Sequence, residues 1–217
     1  MRKLVAAALA LSAVSLSAHA DSKTSIRASA GLASPASGDF KDAFKSGPNL
    51  SLAIGRDMGS YLSVLGEVEY SRFTIDQTKI DDALDSVLGE DATLFEQLGG
   101  RLRIEGGDTS FLSGSVALKG MVLGNASSFS PYVIGAGGVS HRRTGEGTIT
   151  VTILGFTDTE TLPSDSETVA AIAFGGGLDF KVADTLGLFA EGRYHIAFTE
   201  EQSTKYTTLR AGLSLRL

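Results

Sequence analysis

In residues 186–198 the chain changes character at every step. Leu186, Leu188, Tyr194, Ile196 and Phe198 alternate with a set that includes Glu191, Arg193 and His195. A period of two is the pattern of an extended strand, whose successive side chains leave opposite faces of a sheet. One face here is greasy and the other carries a carboxylate, a guanidinium and an imidazole. The two faces meet different media, and the fold depends on which of them is the inside.

The same period recurs in seven other segments. Residues 24–33 set Ile26, Ala28, Ala30 and Leu32 against Arg27, Ser29 and Gly31, and residues 49–57 set Leu50, Leu52 and Ile54 against Ser51, Ala53 and Gly55. Residues 61–74 oppose Leu62, Val64, Val68 and Tyr70 to Ser63, Glu67, Glu69 and Ser71; residues 110–123 oppose Leu112, Val116, Leu118 and Val122 to Ser113, Ser115 and Lys119. In residues 168–182, Ile172, Phe174, Leu178 and Phe180 face away from Asp179 and Lys181; in residues 206–217, Leu209, Ala211, Leu213, Leu215 and Leu217 face away from Thr208, Arg210, Ser214 and Arg216. Residues 130–143 alternate less cleanly, and Tyr132, Ile134 and Ala136 are assigned to their apolar side.

The connections alternate too. Residues 57–60, 124–129 and 183–185 are short turns, whereas 35–48, 75–108 and 144–167 are long, polar and mostly acidic, and 199–205 is polar but shorter. Tight turns on one rim and longer loops on the other are the layout of a transmembrane barrel. Strands of about 9–11 residues cross a bilayer when tilted, and only a closed barrel satisfies every backbone group there. The expected fold is therefore all-β, an eight-stranded antiparallel up-and-down transmembrane β-barrel. Residues 101–105 and 148–156 also alternate and as separate crossings would make ten strands; the first is too short to span, so both are read as strand extensions beyond the membrane. In residues 79–98, Ile80, Leu84, Val87, Leu88, Leu94, Phe95 and Leu98 recur at helical spacing before Gly99 and Gly100. A short helix in the second outside loop follows, either covering the mouth or binding a partner.

Strand parity puts Arg27, Glu67, Glu69, Lys119, Asp179, Lys181, Glu191, Arg193, His195, Arg210 and Arg216 on one face. An Arg or Lys facing lipid at the midplane costs about 2–4 kcal/mol, so this face is the lumen. A soluble lipocalin-like barrel would reverse the polarity. An eight-stranded interior is just wide enough for side chains to fill, and buried charges there must pair. The expected network is Glu67, Glu69, Lys119, Asp179, Lys181, Glu191, Arg193, His195 and Arg210. Counted from the short-turn rim, Glu191 comes level with Arg210, and Arg193 reaches towards Glu67 or Glu69.

Several chemistries are not expected. With no cysteine there is no disulfide or thiol chemistry. His195-Ile196-Ala197 lacks a nucleophile beside the histidine, and Ser140 and His141, being adjacent, point to opposite faces. The acidic run Asp81, Asp82, Asp85, Glu90 and Asp91 lacks the spacing of a calcium loop. No catalytic residue, cofactor or metal site is assigned, and the chain is not expected to be an enzyme.

At the N-terminus, Arg2 and Lys3 precede an apolar run from Leu4 to Leu16 and the small-x-small triplet Ala18-His19-Ala20. This is the pattern of a secretory signal peptide cleaved after Ala20, leaving residues 21–217 as the barrel domain. Removing Arg2 and Lys3 takes the formal charge from −6 to −8, which argues against a nucleic-acid partner.

Two runs, SPYVIGAGGVSHRR at 130–143 and FGGGLDFKVADTLGLFAEGRYHIAF at 174–198, carry a resemblance. They are similar to the small outer-membrane β-barrel family typified by the OmpA transmembrane domain and OmpX. Members show a Pro-Tyr-Val-Gly-rich strand, a Gly-rich strand ending in aspartate, and a strand with Glu-x-Arg-Tyr, matched by Glu191, Arg193 and Tyr194. The resemblance implies a C-terminal assembly signal, carried here by Gly212, Leu215 and Leu217, with Leu217 where members usually end on Phe. It also implies a monomer in the cell outer membrane, with lipid, lipopolysaccharide and the barrel assembly machinery as partners. Arg72, Arg142 and Arg143 lie near the outer rim, placed for lipopolysaccharide phosphates. The expected role is structural, an envelope-integrity barrel with a plugged, charged lumen. The alternatives are an adhesin acting on an unidentified host or surface ligand through acidic loops, and a narrow porin-like channel.

Overall fold

Each alternating segment is a strand in the structure, a computed structural model that describes residues 24–89, 99–125, 127–199 and 203–217. In chain order the first elements are β1 (Thr24–Pro35), α1 (Gly38–Ala43), β2 (Phe44–Lys45), β3 (Gly47–Asp57), β4 (Leu62–Ile75), α2 (Gln77–Leu88), β5 (Arg101–Gly106) and β6 (Thr109–Met121). They are followed by β7 (Phe129–Thr144), β8 (Gly147–Ile153), β9 (Phe156–Leu162), β10 (Asp165–Lys181), β11 (Leu186–Ala197) and β12 (Thr204–Arg216). Eight of these strands close into an antiparallel barrel, β1-β3-β4-β6-β7-β10-β11-β12, with β12 pairing back onto β1 from Ser25↔Arg216 to Pro35↔Tyr206. Closure leaves the barrel without an edge, so the ladder satisfies the backbone in lipid.

Side-chain polarity is inside out relative to a soluble protein. Leu209 is 71% exposed and Leu52 59%, while Glu191 and Arg210 are 2% and 3% exposed. An outward apolar surface this continuous is far larger than a water-soluble monomer carries; in a bilayer it is the solvated side.

Strand β7 corrects one assignment. Tyr132 and Ile134 are buried in the lumen with Ala136 packed beside them, and Val133 is 65% exposed on the lipid side. Hydropathy is a poor guide on this strand because its lipid face includes Gly135 and Gly137. The Tyr132 ring fits because Gly177 opposite has no side chain: a Cβ there would lie 2.5 Å from the tyrosine oxygen.

Beyond the rim, β5 and β8 continue β6 and β7 in unbroken register, from Thr109↔Thr144 to Gly106↔Gly147 and Arg101↔Thr152. Gly106 and Gly107, both with positive φ, bend the ladder where it leaves the barrel. These stretches are extensions and not ninth and tenth crossings. The second stretch turns back through Leu154 and Gly155 into β9, which makes a separate three-stranded sheet, β5-β8-β9. The helix expected over 79–98 begins earlier, at Gln77, and α2 ends at Leu88; residues 90–98 lie outside the described residues. The first outside loop also holds α1 and the short β2, which pairs with β4 through Phe44↔Ile75.

Candidate functional site

The lumen is built from three stacked layers of side chains. Nearest the short turns, Asp179 of β10 takes Lys119 of β6 and, at 3.3 Å, Arg27 of β1. The Arg27 guanidinium lies 3.9 Å from the centre of the Phe189 ring and Lys119 Nζ 4.1 Å from that of Tyr132, so both cations also gain from aromatic faces.

The middle layer gathers three carboxylates around two guanidiniums. Arg210 reaches Glu67 at 2.6 Å, Glu69 at 2.8 Å and Glu191 at 2.6 Å. Arg193 reaches Glu67 at 2.8 Å and Glu191 at 2.7 Å. Glu191 and Arg210 are direct cross-strand partners on β11 and β12, and Glu67 and Glu69 come from β4 across the lumen. Asn49 donates to Glu69 at 3.1 Å and to Ser71 at 2.9 Å. Tyr132 joins the layers, accepting from Arg27 at 3.2 Å and donating to Glu191 at 2.8 Å. Arg27, Lys119, Arg193 and Arg210 balance Glu67, Glu69, Asp179 and Glu191 in formal charge. The middle layer alone is short of one positive charge and the lower layer has one in excess, so Tyr132 bridges groups that need each other.

The upper layer is aromatic. Phe73 and Phe111 each lie 5.4 Å from Tyr206, and Phe40 of α1 drops onto Phe73 at 4.9 Å. Lys79 of α2 holds α1 and the start of β2 in place by donating to the carbonyls of Lys41 at 2.7 Å and Phe44 at 2.8 Å. His195 sits between the ionic and aromatic layers, stacked on Tyr206 at 4.6 Å with its Nε2 3.0 Å from the Thr208 hydroxyl and 3.6 Å from Glu69. Carboxylate and hydroxyl approach the same ring nitrogen, and a relay needs them on opposite ones. Ser140 is buried against Ser113 at 2.8 Å, while His141 on the next position contacts Thr168 at 2.9 Å on the other face.

A family model described as outer membrane protein beta-barrel domain matches residues 6–216. The chain belongs to this family. Neisserial surface protein A shares 14% identity, covering 90% of this chain and 97% of its own, with a TM-score of 0.50. A major outer membrane protein from Thermus thermophilus shares 13% identity, covering 92% of this chain and 100% of its own, with a TM-score of 0.51. At these identities the likeness is one of fold. No curated protein matches the sequence.

The remaining candidates of this outer-membrane barrel lie at its rims. Lys181 pairs with Asp184 at 2.9 Å in the last short turn and stands apart from the central network; Arg216 is half-buried on the lumen side. At the loop rim Arg142 is held by Asp165 at 3.0 Å and Glu167 at 2.9 Å, Arg72 by Asp108 at 2.6 Å, and Arg143 is exposed. Leu215 and Leu217 face outward, whereas Gly212 faces the lumen, where a Cβ would lie 2.7 Å from the Phe189 ring. Tyr132, Asn49, Phe189 and Phe40 complete the interior without having been marked by charge. Phe40 of α1 and Phe44 of β2 stand out in the sequence only as two aromatic residues in a polar loop.

Proposed function

We propose that this chain is a structural outer-membrane barrel whose lumen is a closed, ion-paired post rather than a pore. The observation that carries the reading is the unbroken stack of the lower charged layer, the middle ionic layer and the Phe40-capped aromatic layer across one eight-stranded interior. A barrel of this size has little room beyond its side chains, and here they are cross-linked. No catalytic role is assigned, because His195 is buried beneath Tyr206 and its Nε2 is engaged by Thr208. In this reading residues 1–20 are removed on export, Gly212, Leu215 and Leu217 serve recognition by the assembly machinery, and the monomer works among lipid and lipopolysaccharide. Arg143 and Arg72 would meet phosphates from the outward face.

The test is genetic. A strain lacking the protein becomes sensitive to detergent, and a version lacking β8 and β9 restores resistance as fully as the intact chain, because the barrel alone supplies the function. Restoration that requires β8 and β9, or an unchanged envelope in the deletion strain, rejects the structural role.

A further inference from the structure

The sheet β5-β8-β9 stands outside the barrel, and its two edges are finished differently. On the β5 edge, the Gln77 side chain of α2 donates through Nε2 to the carbonyl of Leu102 at 2.9 Å and accepts at Oε1 from the N–H of Ile104 at 2.9 Å. One side-chain amide thus imitates a neighbouring strand and closes that edge. On the far side of β9 no strand pairs with it among the described residues, and all seven of its residues are exposed.

The direction of the unused backbone groups follows from the turn. Leu154 and Gly155, with φ of 54° and 80°, form a two-residue hairpin in which Ile153 and Phe156 close the ladder. Hydrogen-bonded pairs then fall at Phe156, Asp158, Glu160 and Leu162, which leaves Thr157, Thr159 and Thr161 directed away from β8. One contact bears this out directly: the Thr159 N–H donates at 2.9 Å to the Asp158 carboxylate next to it. The edge has no internal proline, no lysine and no bulge in its register, and its only charges are the acidic Asp158 and Glu160.

We propose that β9 accepts an extended, basic segment of another protein as a fourth strand. Its charges choose the occupant. Asp158 and Glu160 share a face with Phe156 and Leu162, while the opposite face is Thr157, Thr159 and Thr161. Cross-strand neighbours favour opposite charges, so the complementary strand carries Lys or Arg at two alternate positions with an apolar residue at each end. A second copy of β9 is disfavoured, since antiparallel pairing centred on Thr159 sets Asp158 against Glu160. An incoming cation also draws Asp158 off the Thr159 N–H and frees that donor for the ladder. Strand addition at β9 does not depend on whether the lumen conducts.

The probe is a fluorescent peptide of sequence Val-Thr-Lys-Thr-Lys-Thr-Val, titrated into the full chain folded in detergent micelles and read by anisotropy. It binds the unmodified barrel, while its counterpart with Glu for Lys does not. Thr159→Pro weakens binding at least about tenfold: the substitution removes an edge donor but none of the bonds to β8. The pair Asp158→Lys and Glu160→Lys weakens it by about the same factor, because like charges then face each other. Heat-modifiable migration on a denaturing gel shows that each variant is folded; should Thr159→Pro fail that check, the charge-reversed pair decides. Absence of binding to the folded unmodified chain, equal binding of the Lys and Glu peptides, or undiminished binding to the folded variants overturns the proposal. So does dimerisation through β9 without peptide.

Discussion

Arg210 donates to Glu67, Glu69 and Glu191 within 2.8 Å, so Arg210→Met leaves three buried carboxylates short of a cation. Breaking a buried pair from one side costs about 3–5 kcal/mol, and urea unfolding in lipid should show a loss of that size. Adding Glu191→Gln to the variant should recover part of it, since one stranded charge is gone; strictly additive losses would mean the two side chains are not coupled. Tyr132→Phe keeps the ring but removes the hydroxyl between Arg27 and Glu191. The expected cost is about 1–3 kcal/mol, read by the same unfolding curves. The charged members of the lumen are legible from parity, because a charge has one tolerable side of a membrane strand. Tyr132 is not legible that way: it is amphipathic, and its partners become visible only when β7 and β11 are in place.

At the scale of elements, β11 and β12 could be read directly because their outward residues are large and their inward ones charged. β7 could not, since glycines hold part of its lipid face. β9 reads as loop in the sequence, being Thr, Asp and Glu for five of its seven residues. It becomes a strand because β8 offers it a ladder and the Leu154-Gly155 turn reverses the chain. That turn has a built-in cost, for a non-glycine residue with positive φ is strained by about 1–3 kcal/mol. Leu154→Asn, which accepts this conformation readily, should slow amide exchange across β8 and β9 while leaving the barrel strands unchanged. Faster exchange would show that the leucine side chain holds the turn. α1 was hidden for a different reason: six residues give little helical periodicity, and its fixed position comes from Lys79 and from Phe40 seated in the mouth.

The molecule as a whole is an apolar cylinder around a cross-linked interior whose paired charges balance, with a three-stranded sheet standing beyond its loop rim. In the proposed closed state the seal is redundant, because the ionic layers lie beneath the aromatic one. Phe40→Ala should therefore expose α1 to protease without opening a path for ions. Single-channel recording on the folded, unmodified chain in a planar bilayer decides whether the lumen is sealed. A sealed lumen gives a flat current with no resolved steps at moderate voltage; discrete, repeated conductance steps from the purified barrel would mean that it conducts.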